Sequence, residues 1–278
     1  MRTLTPEERL RRAASFNESP QQYDRSRPTY PEKLYTELWR LAELREKPEV
    51  LEVGCGTGQA SGALATRSAS LTCVEFGANM AEVARTKLAA YPAAHVIVSK
   101  FEDWDAADHR YDLVFASSSW HWINPDVRYA KAASILKPGG SLAVVHSDHV
   151  YPEDFDPLYE PIQRVYAEVT GSRREVKREA IPHPGVLDRN DLNHIEELNR
   201  TGAYDRVSLA RILWHFDRTA DGYIDLLGTY SDNWALEPEV RTRLFGGIHQ
   251  VISNSPTGTI RKHYLTTVRV ARRTPGKP

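Results

Sequence analysis

An α/β fold built on a mostly parallel sheet, with helices on both faces and a largely helical cap, is predicted by three observations. Val50, Leu51 and Val53 form the apolar run of a strand buried on both faces; it breaks into alternating glycines at Gly54, Gly56 and Gly58, then into a helical pattern. A second run, Leu71-Thr72-Cys73-Val74, ends in Glu75, 21 positions after Gly54. Strand-like segments then alternate with helical ones, the pattern of repeated βα units.

The elements follow in order. Pro6 to Ala14 reads as a short helix and Ser15 to Pro28 as an irregular arm rich in Ser, Gln, Tyr and Arg. Pro31 suits a first helical position, and Leu34, Leu38 and Leu41 share a face of the helix that ends near Lys47-Pro48. The first strand and glycine turn lead into a helix over Gln59–Arg67. After the second strand come a helix over Ala78–Ala90, a strand at His95–Val98 and a loop through Asp108. A fourth strand at Tyr111–Ser117, a helix over Val127–Leu136 and a fifth strand through Val145 complete a Rossmann-like core, whose ligands belong at the carboxyl ends of the strands.

The second half is less regular. Helices are expected at Phe155–Val169, Asp188–Asn199 and Glu237–Ile252, strands at Val207–Phe216 and Arg261–Ala271. Ser172 to Arg178 is a mixed-charge run that reads as the wet face of a helix. Thr274 to Pro278 reads as a frayed tail.

Glycine spacing narrows the ligand of the first turn. A dinucleotide fingerprint needs a third glycine where Gln59 stands, and a phosphate-binding loop needs Lys before Ser or Thr where Gln59 and Ala60 follow Gly58. The remaining E-x-G-x-G-x-G turn suits a ligand with an amino-acid moiety and a ribose but no phosphate, such as S-adenosyl-L-methionine. Glu75 has the place of an acid that accepts hydrogen bonds from both ribose hydroxyls.

With these residues the chain resembles the class I S-adenosylmethionine-dependent methyltransferases. The likeness continues through Tyr111-Asp112-Leu113-Val114-Phe115-Ala116-Ser117 and Leu136-Lys137-Pro138-Gly139-Gly140-Ser141-Leu142-Ala143-Val144-Val145. Three further segments resemble the small-molecule members typified by trans-aconitate methyltransferase. These are Tyr23-Asp24-Arg25-Ser26-Arg27-Pro28, Ser117 to Trp122 with Asn124-Pro125-Asp126, and Val268 to Arg273. The resemblance implies a seven-stranded sheet with an antiparallel last strand, in a single methyltransferase domain over residues 1–278. Residues 1–30 would be a lid, 48–146, 204–216 and 259–272 the sheet core, and 147–203 and 217–258 cap insertions.

It also implies a cofactor cradle of Glu52, Gly54, Gly56, Gly58, Glu75 and Ser117, with Arg27 reaching the methionine carboxylate or an acidic substrate. The family usually carries an acid two residues past the third strand, contacting the adenine amine, but here Lys100 stands there. The adenine contact is therefore assigned to Glu102 or Asp103 with the backbone of Phe101, and apolar packing to Phe76 and Met80. No metal ligands are assigned.

Methyl transfer from a sulfonium is an in-line displacement, so alignment and water exclusion carry much of the acceleration. Trp120 and Trp122 bracket His121 where the methyl should emerge, and a ring face attracts a cation by roughly 0.5–2 kcal/mol. His121, with an ordinary pKa of about 6.5, is the candidate base for a hydroxyl or amine acceptor; for a carboxylate it would only orient. Tyr23, Trp120, Trp122, His146 and His149 are expected to line the acceptor site, the two histidines just past the fifth strand. Ten aromatics between Tyr151 and Trp234 suggest a pocket for a flat or moderately apolar metabolite.

Composition agrees with a small-molecule acceptor. The net charge of -1 with 26% charged residues provides no basic field for nucleic acid. Cys55 and Cys73 are too few for a disulfide framework and read as free thiols in a reducing, cytoplasmic setting. No signal-peptide pattern and no long apolar run point to a membrane. The alternatives are a methyltransferase for RNA or protein and a non-catalytic cofactor-binding regulator.

Overall fold

Leu113 and Phe115 of one central strand pack into one apolar layer and Val114 and Ala116 into another, so the sheet is buried on both faces. The computed structural model describes residues 5, 7–8, 14, 16–172, 176–178, 181–182 and 186–275. The expected helix at 6–14 and the last residues of the tail, 276–278, lie largely outside them.

Five strands form the parallel part: β1 (Glu49–Val53), β2 (Ser70–Glu75), β3 (Ala94–Val98), β4 (Tyr111–Ser117) and β5 (Leu136–His149). With β6 (Tyr204–Thr219) and β7 (Thr259–Arg273) the sheet has the order β3-β2-β1-β4-β5-β7-β6. β7 runs antiparallel between β5 and β6. Two helices precede or follow β1: α2 (Glu32–Leu41) and α3 (Ser61–Arg67), with α1 (Pro20–Ser26) ahead of both. Leu34 and Leu38 of α2, Leu64 of α3 and Leu88 of α4 (Ala78–Leu88) cover one face. Tyr129 and Ala132 of α5 (Arg128–Ile135) and Leu198 of α7 (Arg189–Thr201) cover the other, α6 (Tyr159–Thr170) lying between them in sequence.

A third apolar cluster belongs to the cap. Ile162 of α6, Leu226 of α8 (Ala220–Leu227) and Leu244 and Ile248 of α10 (Pro238–Ser253) pack together, beside the short α9 (Ser231–Trp234). Asp188 caps α7 by a reciprocal pair with Asp191, whose buried carboxylate also accepts from Arg211 and, at 2.6 Å, from Arg269.

Several expectations change. The arm expected to be irregular holds the helix Pro20–Ser26, and the helix carrying Leu34 and Leu38 ends at Leu41 rather than near Lys47-Pro48. β5 runs four residues past Val145, so His146 and His149 lie within the strand, paired with Thr267 and Tyr264. β6 begins and ends three residues beyond its expected bounds because β7 pairs with it along its whole length. Val176–Arg178 are not helical, and residues 173–175 of that charged run lie outside the described residues.

Candidate active site

Gly54, Gly56 and Gly58 all take positive φ, the left-handed region that favours glycine. At Gly54 space forbids a side chain too, since an added Cβ would sit 2.5 Å from Ser119 Cβ. Ser119 Oγ donates to Val53 O at 2.6 Å, which locks the loop after β4 against the turn after β1. A Cβ at Gly56 would point toward Met80 and Tyr23, so this glycine keeps the cavity open beside the turn.

Glu75 closes the turn from β2. Its Oε2 accepts the Gly56 N–H and its Oε1 the Gly77 N–H, both at 2.8 Å. Burial raises its pKa, against those backbone donors. Each oxygen retains acceptor capacity for a ribose hydroxyl. Glu52 stands behind the turn: it is buried, accepts from Ser61 Oγ at 2.5 Å, and burial raises its pKa to about 7.

Phe76, Met80, Phe101 and Glu102 line the next part of the cavity, as does Lys100, whose Nζ lies 5.8 Å from the Phe76 ring. The Glu102 carboxylate already accepts the Asn124 N–H at 2.8 Å. Asp103 is exposed and is not among the lining residues, so of the two acids only Glu102 faces the cavity.

Past β4 the chain turns through Ser118 at φ 54° into a short 3-10 turn, Trp120–Trp122. His121 and Trp122 line the cavity, their rings 4.4 Å apart, and the imidazole of His146 lies 6.1 Å from that of His121. Trp120 turns the other way, into the core against Phe101 and Tyr129, and does not line the site. The ordinary pKa expected for His121 is not kept: desolvation by the surrounding cavity wall, then His146 and Arg128, lower it to about 4, although the residue itself is exposed.

The arm ahead of α2 passes over this cavity. Phe16, Tyr23, Arg27 and Tyr30 line it, and Phe16 stands edge-on to both Tyr23 and Trp122. Arg27 Nε donates to Thr229 Oγ1 at 2.9 Å and its guanidinium lies over Tyr23 and Tyr230. Asn17 Oδ1 accepts the Asn79 N–H at 2.7 Å, and Asp24 pairs with Lys87. The arm thus spans from α4 to the segment after α8.

One cavity of about 1070 Å³ joins the glycine turn, the loop after β4 and an aromatic chamber under the cap.

Residues 50–140, about a third of the chain and the part that carries the turn, Glu75 and the β4 loop, match the family model described as "Methyltransferase domain". Those residues are a methyltransferase domain. The chain is 31% identical over 131 residues to an uncharacterized methyltransferase of Mycobacterium tuberculosis, covering 47% of this chain and 51% of that protein. It is 28% identical over 150 residues to a trans-aconitate 2-methyltransferase of Afipia carboxidovorans, covering 51% of this chain and 55% of that one. The chain thus spans about half the length of these curated relatives. A solved structure of a putative type II methyltransferase from Anaeromyxobacter dehalogenans has the same fold, with a TM-score of 0.63 at 21% identity, over 90% of this chain and 99% of that one.

Of the residues assigned to the methyltransferase site from sequence, Tyr23, Arg27, Gly54, Gly56, Glu75 and Ser117 line the cavity, as do His121, Trp122, His146 and His149. Glu52, Gly58, Asp103 and Trp120 do not. Sequence reasoning missed Ser118 and Ser119, polar residues in a loop read only for its aromatics. It also missed Tyr30, whose hydroxyl lies 3.3 Å from Ser118 Oγ. Lys262 and Tyr264 went unassigned within the last strand, where Lys262 stands between Arg261 and His263 and the pattern does not single it out. No described helix is long and apolar enough to cross a membrane.

Proposed function

We propose that the chain is an S-adenosyl-L-methionine-dependent methyltransferase acting on a small molecule enclosed under the cap. The observation that carries this is the continuity of the cavity from the Glu75 turn, past His121, into the aromatic chamber. A ligand with a ribose and no phosphate fits the cradle: Gly56 leaves no Cβ beside Met80 and Tyr23, and Glu75 offers two carboxylate oxygens beside the turn. Phe76, Met80 and Phe101 provide apolar contact for a base, Glu102 lies at its edge, and Arg27 is positioned for a carboxylate.

When bound, that cofactor supplies a methyl group on a positively charged sulfur. The chain's own residues align, desolvate and handle the proton. Trp122 and Phe16 close the side of the cavity next to His121. With its pKa lowered to about 4, His121 is neutral at pH 7, so a ring nitrogen can accept the proton of a hydroxyl or amine acceptor or orient a carboxylate.

Residues 1–30 would act as the lid and 147–203 and 217–258 as the cap within one domain of residues 1–278. The near-neutral charge and the enclosed chamber support a small acceptor over RNA or a protein. The two buried cysteines, both free thiols, fit a cytoplasmic setting.

Titration calorimetry with S-adenosylmethionine and S-adenosylhomocysteine tests the reading. Binding in the micromolar range is expected, and none at millimolar ligand would end it.

A further inference from the structure

The first turn of α4 is capped from a distant part of the chain. Gly77 stands at its N-terminal boundary with no side chain to offer, so the leading N–H groups need another acceptor. Asn17, in the 3-10 turn Phe16–Glu18 of the arm, supplies it. Its Oδ1 accepts the Asn79 N–H at 2.7 Å and the Met80 N–H at 3.4 Å, and Asn79 Nδ2 donates back to the Asn17 carbonyl at 3.0 Å. A residue 62 positions away thus completes the helix.

The same turn holds Glu75. Gly77 donates its N–H to Glu75 Oε1 at 2.8 Å and lies between the two side chains, since a Cβ there would be 2.9 Å from Asn17 Oδ1 and 3.3 Å from Glu75 Oε1. Met80, whose N–H Asn17 accepts, lines the cavity and points toward Gly56. Residues 77–80 are gripped by the acid on one side and by the arm on the other.

A second tie lies farther along the arm. Asp24 pairs with Lys87 of α4 and accepts from Gln59 Nε2 at 3.2 Å, just past the glycine turn. It fastens the arm without touching the first turn of α4. Of the two ties, the one through Asn17 bears on the segment that orients Glu75.

We propose that Asn17 is a positioning residue for the cofactor: by capping α4 it couples closure of the arm to the set of the Glu75 carboxylate. The proposal rests on the S-adenosylmethionine reading of the Glu75 turn. Opening the arm strips α4 of its cap, and closing it restores the cap and the ribose acceptor together. Such coupling is reciprocal, so a ligand held by Glu75 also favours the closed arm.

The test measures S-adenosylhomocysteine binding to the full chain by calorimetry. Loss of a helix cap is typically worth about fivefold in an equilibrium constant, and Asn17→Ala should weaken binding by about that factor. Asn17→Asp keeps an oxygen acceptor at the helix N-terminus and should bind within about twofold of wild type. Asn79→Ala loses the Nδ2 bond to the arm but keeps the capped N–H, and should also stay within about twofold. In a Glu75→Ala background Asn17→Ala should change affinity by less than about twofold, because the carboxylate through which it acts is gone. Amide hydrogen exchange supplies a second readout: the ligand should slow exchange at Asn79 and Met80 in wild type and not in Asn17→Ala.

Asn17→Ala binding within twofold of wild type, an equal loss in Asn17→Asp or Asn79→Ala, the full loss on top of Glu75→Ala, or ligand protection of Asn79 and Met80 that survives Asn17→Ala would overturn the coupling. Failure of the wild type to bind S-adenosylhomocysteine at all would instead overturn the cofactor reading on which it stands.

Discussion

The Glu75 carboxylate accepts the Gly56 N–H at 2.8 Å, so the acid at the end of β2 also holds the shape of the turn after β1. Substituting it should therefore remove a ligand contact and loosen the cradle together. Glu75→Ala is expected to weaken S-adenosylhomocysteine binding by roughly 1.5–3 kcal/mol, the range of a charge-assisted hydrogen bond. Calorimetry on Glu75→Ala and Glu75→Gln measures it. Equal affinity in all three proteins would place the ribose contact elsewhere.

Gly54 is constrained twice, by its φ of 69° and by Ser119. Gly54→Ala should cost about 2–4 kcal/mol, about 1–2 from the left-handed backbone and the rest from the clash. Adding Ser119→Gly should return only the clash component. Urea midpoints of the single and double variants separate the two, and a double variant no better than the single would show that the clash is absorbed elsewhere.

Glu52 carries a pH signature. Its folded pKa of about 7 lies above its ordinary 4.5. Between those values the folded protein keeps a proton that the unfolded chain has lost, so this group's contribution to stability falls as pH rises from 4.5 through 7. Glu52→Gln has no such proton, and relative to wild type it should gain stability from pH 5 to pH 8, by at most roughly 3 kcal/mol. Denaturation curves at both values check this; parallel profiles for the two proteins would refute it.

His121 should titrate with a midpoint near 4, followed by the ring proton signals in NMR with His121→Ala for assignment. Its unfolded pKa is higher, so the stability it allows is present above about 6.5 and is lost as pH falls through the folded value. A midpoint at 6.5 would mean that desolvation and the neighbouring His146 and Arg128 do not act on it as described. Turnover, once an acceptor is known, should show no His121 inflection between pH 6 and 9.

The cofactor half was legible because its signals are local. The strand at Tyr111–Ser117 has the bounds that its apolar run suggests, and the spacing of Gly54 and Glu75 survives in the hydrogen bond that joins their neighbourhoods. Where packing between distant segments decides, the sequence is mute. Trp120 and Trp122 look equivalent in the chain, but the 3-10 turn sends one into the core and the other into the cavity. The polar residues of His146–His149 masked the continuation of β5, since their environment is set by the cap and by β7 rather than by the alternation of β5. Asp103 and Glu102 are adjacent acids of which only the half-buried Glu102 faces the cavity, a difference set by the course of one loop.

β7 is long enough to serve two masters. Val268 and Val270 pack with the helices of the cofactor half, Arg269 on the opposite face binds Asp191, and residues 262 and 264 look into the chamber. One continuous strand thus holds the fold at its C-terminal half and lines the chamber at its N-terminal half. Acceptor preference can then drift, or be engineered, at alternate positions of a rigid rail while the cofactor end stays unchanged. Such a layout would let the proposed acceptor chamber change at one end of the strand while the glycine turn at the other end of the sheet stays as it is.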